Sequence, residues 1–426
     1  MKDRLLHYLR NCCESALHEL YPAGIPKKVS QRFEREINYL SEKPDCHDDF
    51  LLFKELSDAV RRACGKLHLG GTISNSILIY LLGDLELNPM PAHYYCPHCG
   101  YYHEQPEAVA GLDLPEEKCP HCKTVLRRDG FSLREEYVWK ASSGMTFEYR
   151  MTSRVIPLAR KVIERHYAGQ HRHTALLGWQ SSEKITASGV VIFPAEKSLA
   201  DYSEHIGITC DGEDCLCHDW RLFEQGDLKK VLLLSIDWLD RLDDLQWETG
   251  ILNDSMIPES LSDISCQDIL NVSVLSQDEF GVFCRQRPAT FREKVNLLAA
   301  AHNTYKAEDS DISLAYFERF LDDPLLLSCP IYTRDDAFDM LRSIYKDADR
   351  AFLDAENMRK GKFCDGRCEF DPAAPDAVRD LAQHIAYLFP RVHIQWYALQ
   401  YYAPRQVFEA GPPRILQGHA FARVSG

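Results

Sequence analysis

The sequence predicts an α+β chain built from a small β-sheet, a four-cysteine metal module and a largely helical C-terminal third. Three observations carry this. Two identical tetrapeptides, Cys96-Pro97-His98-Cys99 and Cys119-Pro120-His121-Cys122, are separated by nineteen residues. Uninterrupted apolar runs of strand length stand at Val190-Val191-Ile192-Phe193 and at residues 231–236. Beyond about residue 290 the apolar positions recur every three or four residues, which is the helical period.

Taken in order, residues 1–66 predict a helical module of three helices. Their apolar positions are Leu5, Leu6 and Leu9, then Phe33, Ile37 and Leu40, then Leu52, Leu56, Ala59 and Val60, with Gly65 as the stop. Residues 67–95 hold a Gly70-Gly71 turn, a loop from Thr72 to Ser76, and an apolar run, 77–82, that fits either a helix or a buried strand. The cysteine module takes 96–130. In the sheet region, 131–290, Met145, Phe147, Tyr149 and Met151 alternate with Thr146, Glu148 and Arg150. That alternation predicts a half-buried strand, because successive strand side chains point to opposite faces. With the two apolar runs it makes at least three strands, and Asp237 ends one of them. Residues 291–410 predict helices at 291–301 and 314–321, one opened by the capping box Thr333-x-x-Asp336, and one carried by Val378, Leu381, Ile385 and Leu388 before Pro390. A loose tail is expected over 411–426.

Two thiolates on one tight turn converge on a metal, and thiolate softness selects zinc over hard cations. Cys96, Cys99, Cys119 and Cys122 are therefore expected to bind one structural zinc, in preference to being four unrelated core cysteines or a redox pair. The other cysteines of the sixteen are irregularly spaced. No apolar stretch reaches membrane-spanning length, and no signal sequence is read at Met1-Lys2-Asp3-Arg4. A reducing cytoplasm without membrane association is the expectation. The formal charge of −15 repels polyanions at long range. Nucleic-acid contact must then come from local basic patches, which argues against a tight general DNA binder.

Thinner candidates are Cys210, Cys215, Cys217 and His218, whose irregular spacing lacks paired knuckles but leaves a second metal open. Arg160, Lys161, Arg165, His166, His171, Arg172 and His173 form a basic stretch that could meet a phosphate backbone or form a surface loop. There is no His-Glu-x-x-His site, serine elbow or Walker loop.

The segment Leu87-Asn88-Pro89-Met90-Pro91-Ala92-His93-Tyr94-Tyr95 leads into the first knuckle, Gly111-Leu112-Asp113-Leu114-Pro115-Glu116-Glu117-Lys118 leads into the second, and Arg128-Asp129-Gly130 follows. Together they closely resemble the zinc-bearing part of PolC-type DNA polymerase III alpha subunits, of bacterial replication. Weaker likeness extends over about residues 15–410. It includes Met358-Arg359-Lys360-Gly361-Lys362 and the run from Tyr387 through Arg391 and His393 to Tyr397, which look like the family's fingers motifs. The resemblance implies a nucleotidyltransferase-like palm sheet with helical thumb-like and fingers-like regions. It also implies that the family's phosphatase-like, exonuclease, clamp-binding and terminal nucleic-acid-binding parts have no counterpart here.

Phosphoryl transfer in this family needs two divalent ions, such as magnesium, held by three carboxylates. Two of them come from an Asp-x-Asp strand, and Thr146 and Glu148 fall at those positions. Threonine is a neutral hydroxyl and cannot bridge metals. Glu148 is read as a structural ion pair with Arg150, with metal ligation as the alternative. Asp237 matches the third acid. The family's Gly-Ser palm loop is represented by Gly71 and Ser76 without its arginine, and its Gln-His-Pro-Gly-Gly turn by Ile185-Thr186-Ala187-Ser188-Gly189. About half of the family's segment before that turn is read as deleted. In the fingers-like motifs Arg359, Lys360, Lys362, Arg391, His393 and Tyr397 match nucleotide or phosphate contacts, with Arg391 in place of a lysine. The bland alternatives are a helix C-terminus for the cationic loop and core packing for Trp396 and Tyr397.

Three readings follow. The leading one is a catalytically degenerate relative of the polymerase core that keeps the zinc and binds DNA or replication partners. The alternative is an active small DNA polymerase or nucleotidyltransferase that uses Glu148, Asp237 and Asp240 with divalent metal. The third is a purely structural partner, an accessory subunit or a decoy for replication proteins.

Overall fold

The computed structural model describes residues 2–83, 85–140, 145, 147–180, 184–209, 212–218, 223, 228–236, 239, 240, 243, 290–306 and 330–400. Thr146, Cys210, Asp237, the helix expected at 314–321 and the tail lie outside the described residues. The chain divides into two units, 1–85 with 135–250 and 86–134 with 251–426. Elements are numbered in chain order among the described residues, so β2–β4, β11, β12 and α7–α11 belong to the second unit.

In the first unit the three expected helices are α1 (Lys2–Leu20), α2 (Lys27–Ser41) and α3 (His47–Arg62). Leu9, Cys13 and Leu17, then Phe33, Ile37 and Leu40, then Phe53, Leu56 and Val60 are buried at helical spacing. All three helices pack on α4 (Ile77–Gly83), which resolves the ambiguous apolar run as a helix. It is apolar almost all round because other helices surround it. The stop after α3 differs from expectation. Cys64, at φ 52°, takes the left-handed turn. Gly65 is instead needed for close approach, since a Cβ there would lie 2.6 Å from Val155.

Among the described residues the sheet of the first unit has seven strands, in the order β1-β5-β10-β7-β6-β9-β8. They are β1 (Leu67–Gly70), β5 (Glu148–Met151), β6 (Arg172–Gln180), β7 (Ile185–Pro194), β8 (Ile206–Ile208), β9 (Asp214–Cys217) and β10 (Lys229–Ser235). The β5/β10 and β6/β9 pairs are parallel and the others antiparallel, so this is a mixed sheet. The β5–β10 register sets Tyr149 beside Leu233 and Glu148 beside Leu232. Tyr149 thus shares its face with Met151 and Leu233 and packs on Phe53 of α3, ring centroids 6.4 Å apart. The opposite face carries Glu148, Arg150 and Lys230 beside an apolar cluster of Leu177, Val191, Phe193, Leu216 and Leu228.

The basic stretch at 160–173 is not a loop: it runs through α6 (Ile156–Ala168), a turn and the start of β6. Its His166 locks α6 to α3, with Nε2 3.0 Å from Asp48 and Nδ1 3.0 Å from Glu55. Two carboxylates on two ring nitrogens require both nitrogens to donate, so this is an imidazolium.

The second unit contains a three-stranded sheet, β3-β2-β4, from β2 (His93–Tyr95), β3 (Tyr102–Glu104) and β4 (Arg127–Asp129). Among its described residues the helices are α7 (Phe291–His302), α8 (Arg334–Ile344), α9 (Ala348–Arg359), α10 (Asp376–His384) and α11 (Arg391–Gln400). The Thr333–Asp336 capping box opens α8, and Thr290 with Glu293 forms a second one on α7. The helix expected through Leu388 stops at His384. Ile385 to Tyr387 instead form β12, which pairs antiparallel with β11 (Thr304–Tyr305). The interval Leu381, Ile385, Leu388 fits a helix, but Ile385 is extended (φ −91°, ψ 113°) and long-range pairing overrides the local period.

Burial disfavours a charged His166, yet the hydrogen bond and charge of Asp48, then those of Glu55, outweigh it and raise its pKa. Asp49 and Lys229 complete the charged surroundings. A raised histidine contributes stability fully below its ordinary value near 6.5 and loses it as pH rises through the folded-state pKa. His166→Gln should therefore lower the unfolding free energy measured in urea by roughly 1–3 kcal/mol at pH 6, and by much less at pH 9. A pH-independent difference would contradict the imidazolium.

Candidate metal centre and phosphate-binding positions

Both cysteine tetrapeptides fold into the same turn. The Cys96 amide bonds to the Tyr101 carbonyl (2.8 Å) and the Gly100 amide to the Cys96 carbonyl (3.0 Å). In the second turn the Cys119 amide bonds to Thr124 (2.8 Å) and the Lys123 amide to Cys119 (3.0 Å). The fifth residue of each is left-handed, Gly100 at φ 75° and Lys123 at φ 64°. The four sulfurs lie within 4.8 Å of one another. Cys96 and Cys122 are 3.4 Å apart, and Cys99 and Cys119 3.5 Å. Thiolates about 2.3 Å from a zinc ion stand about 3.8 Å from each other. The set therefore fits a tetrahedral ion such as zinc, with no open position for chemistry. The Thr124 hydroxyl, then its amide, holds the Cys122 thiol down to about 5.

The apolar core around the turns is small: Ala92, Tyr94, Cys96, Leu114, Cys119 and Leu126. The module nevertheless anchors the helices of its unit. Asp113 accepts the first amide of α7, from Phe291 at 2.6 Å, and Phe131 meets the Phe291 ring edge-on at 5.9 Å. Gln395 of α11 donates to the Phe131 carbonyl at 3.1 Å, and Arg391 to that of Ser132 at 3.3 Å.

Among the described residues, several positions expected to receive metal or phosphate, Ser76, Glu148, Asp240, Arg359, Lys360 and Arg391, have partners from the chain itself. Gly71 is left-handed (φ 90°) ahead of the Thr72–Asn75 turn. Ser76, however, donates its hydroxyl to the buried carboxylate of Glu36 at 2.5 Å. The Ile77 amide donates to both Glu36 oxygens (3.1 Å each), and Arg32 lies 3.1 Å from that carboxylate. Glu148 pairs with Arg150 at 3.1 Å, as read from the sequence, with Gly70 packed over the pair. Asp240 accepts the Ser153 amide at 2.6 Å and the Ser235 hydroxyl at 3.4 Å.

In the second unit Arg359 grips Glu356 with Nε and a terminal nitrogen, each bond 3.2 Å, and donates to the Tyr387 hydroxyl at 3.1 Å. Arg334 reaches the same Glu356 at 3.1 Å, and Lys360 stands 4.0 Å from it. Lys362 is half-buried on the following turn. Arg391 is buried and donates to Asp336 (2.8 Å) and Asp339 (3.3 Å), while its amide donates to Asp335 (2.8 Å). Burial opposes its charge, but Asp336, Asp335 and Asp339 outweigh that and raise its pKa. His393 stacks on Phe389 (5.1 Å) and meets Tyr397 edge-on (4.6 Å), and Trp396 is fully buried in the core. Of the cations in these two motifs, Arg359 and Lys360 thus face Glu356, and Arg391 faces Asp336 and Asp339.

Glu36, Glu356 and Asp339 were not singled out in the sequence, although Arg32-x-x-x-Glu36 and Glu356-x-x-Arg359 have the spacing of helical ion pairs. Among the described residues, Cys96, Cys99, Cys119 and Cys122 alone form a metal-ligating cluster. Cys215 is buried in β9, and His218 stacks on Trp179. No helix among the described residues is long and apolar enough to cross a membrane.

Proteins named DNA polymerase III PolC-type from Thermotoga petrophila, Caldanaerobacter subterraneus subsp. tengcongensis and Bacillus subtilis are 25%, 24% and 23% identical to this chain over 90%, 92% and 92% of its length. The chain is a distant relative of PolC-type DNA polymerase III. It spans about a third of the length of these relatives, 32%, 32% and 31%. No protein-family model matches it.

Elemental analysis of the purified chain should find one metal ion per molecule, and Cys96→Ser with Cys119→Ser should release it and loosen the module. Arg391→Met should destabilise the second unit by about 1–3 kcal/mol in urea, because it leaves the half-buried Asp336 and Asp339 without their cation. A loss below about 1 kcal/mol, the scale of a surface pair, would show that the cluster is not a strut.

Proposed function

We propose that this chain is a catalytically degenerate relative of the PolC core, with a palm-like first unit, a fingers-like second unit and a structural zinc, that acts by binding DNA or a replication partner. The observation that carries this is the internal pairing of the inherited positions. Ser76 is bonded to Glu36, Glu148 to Arg150, Arg359 to Glu356, and Arg391 to Asp336 and Asp339. A phosphate would have to displace a carboxylate already at hydrogen-bonding distance.

One further feature supports the loss of chemistry. Thr146 supplies no carboxylate where the relatives' metal pair needs one. Fold and activity are separable, so the scaffold can still present a surface to nucleic acid or protein. The zinc would hold the knuckles to each other and, through Asp113, the start of α7.

Primer extension with magnesium or manganese should give no product from the wild type or from Asp237→Ala. Metal-dependent synthesis by the wild type that Asp237→Ala abolishes would overturn the proposal and establish an active polymerase.

A further inference from the structure

In the first unit an aromatic ladder stands on the sheet face that carries Glu148 and Lys230. Trp179, at the end of β6, is 51% exposed. The His218 amide donates to the Gly178 carbonyl at 2.8 Å, which fixes that residue beside the strand end. Its imidazole lies under the Trp179 indole, centroids 4.1 Å apart and planes within 16°. Phe223 continues the ladder, 5.5 Å from His218 and tilted by 34°. The Lys230 ammonium is 3.1 Å from His218 Nε2 and 5.0 Å from the Phe223 ring centre.

The arrangement selects a ligand by its chemistry. An indole backed by a parallel ring is held in one plane, so a flat π-system can stack on it at little entropic cost. Aliphatic ligands favour an enclosing groove, whereas this surface offers an exposed ring. Lys230 is exposed at the edge of the ladder, where an anionic group attached to the flat ring would fall. A flat ring with an anion beside it describes a nucleotide whose base is unpaired.

We propose that Trp179, backed by His218 and flanked by Lys230, is a stacking site for an unpaired base of single-stranded nucleic acid. This rests on the DNA-binding form of the proposed function and adds the strandedness and the residues.

The test is fluorescence anisotropy of the full chain with labelled oligothymidylate and oligouridylate of about 16 nucleotides and with a DNA duplex, across a salt series. Trp179→Ala should weaken single-strand binding about tenfold with its salt dependence unchanged. Trp179→Phe, which keeps a stacking ring, should retain most of the affinity. Lys230→Gln should lower the slope of log affinity against log salt by about 0.7. The two oligomers decide whether the strand is DNA or RNA. Wild-type binding that Trp179→Ala leaves intact, or equal loss in the Phe and Ala variants, overturns the stacking site while DNA binding stands. Binding of duplex alone does the same. No binding to any of the three overturns both and leaves a protein partner.

Discussion

A buried cation must have its carboxylate, and that constraint organises both units. Arg391 draws Asp335, Asp336 and Asp339 of α8 onto the first turn of α11 and reaches Ser132 at the end of the cysteine module. One guanidinium thereby joins segments far apart in sequence. Arg359 and Arg334 share Glu356, which extends the alternation of charge through α8 and α9. Arginine suits this role better than lysine because its planar fork serves several acceptors at fixed angles. In the first unit Glu36 has the inverse role: a buried carboxylate satisfied by Arg32, the Ser76 hydroxyl and the Ile77 amide.

The cysteine module solves a different problem. Its apolar cluster is too small to hold two turns and three short strands by burial alone. A metal joining four thiolates would supply the missing cross-link, and a tetrahedral four-cysteine site would leave no coordination position for a substrate. The module's mechanical output is then readable in its hydrogen bonds. Asp113 is fixed between the knuckles, and it terminates α7 by accepting the Phe291 amide. An aspartate at a helix start satisfies an otherwise orphaned donor and complements the dipole.

What was legible in the sequence follows the range of the forces involved. The three N-terminal helices, the alternating strand around Tyr149, the paired knuckles and the Glu148–Arg150 pair are local patterns, and local geometry decides them. The run at 77–82 was ambiguous because a helix enclosed by other helices and a buried strand are both apolar throughout. β12 was illegible for the opposite reason: its partner, Thr304–Tyr305, lies about eighty residues earlier, and nothing near Ile385 announces it. Two of the carboxylates that fill candidate sites share this character: Ser76 and Glu36 are forty residues apart, and Arg391 and Asp336 fifty-five. Asp336 reads from sequence as a helix cap and Glu36 as a helical ion-pair position with Arg32, and only tertiary packing brings them to Arg391 and Ser76.

That long-range pairing decides what a phosphate would meet. To enter beside Arg391 or Arg359, an anion must first expel a carboxylate that has nowhere to go, since Asp336 and Glu356 sit on helices fixed by their own caps and packing. The exchange gains one charge-assisted contact and strands another anion in a poorly solvated site, a loss of about 3–5 kcal/mol when a buried pair is broken. Retained cations in inherited motifs are therefore poor evidence of retained ligand binding in this chain. Half-exposed groups that owe no internal debt of charge are better evidence. The indole of Trp179 is one, and it lies on the seven-stranded sheet of the first unit, away in sequence from Arg359 and Arg391.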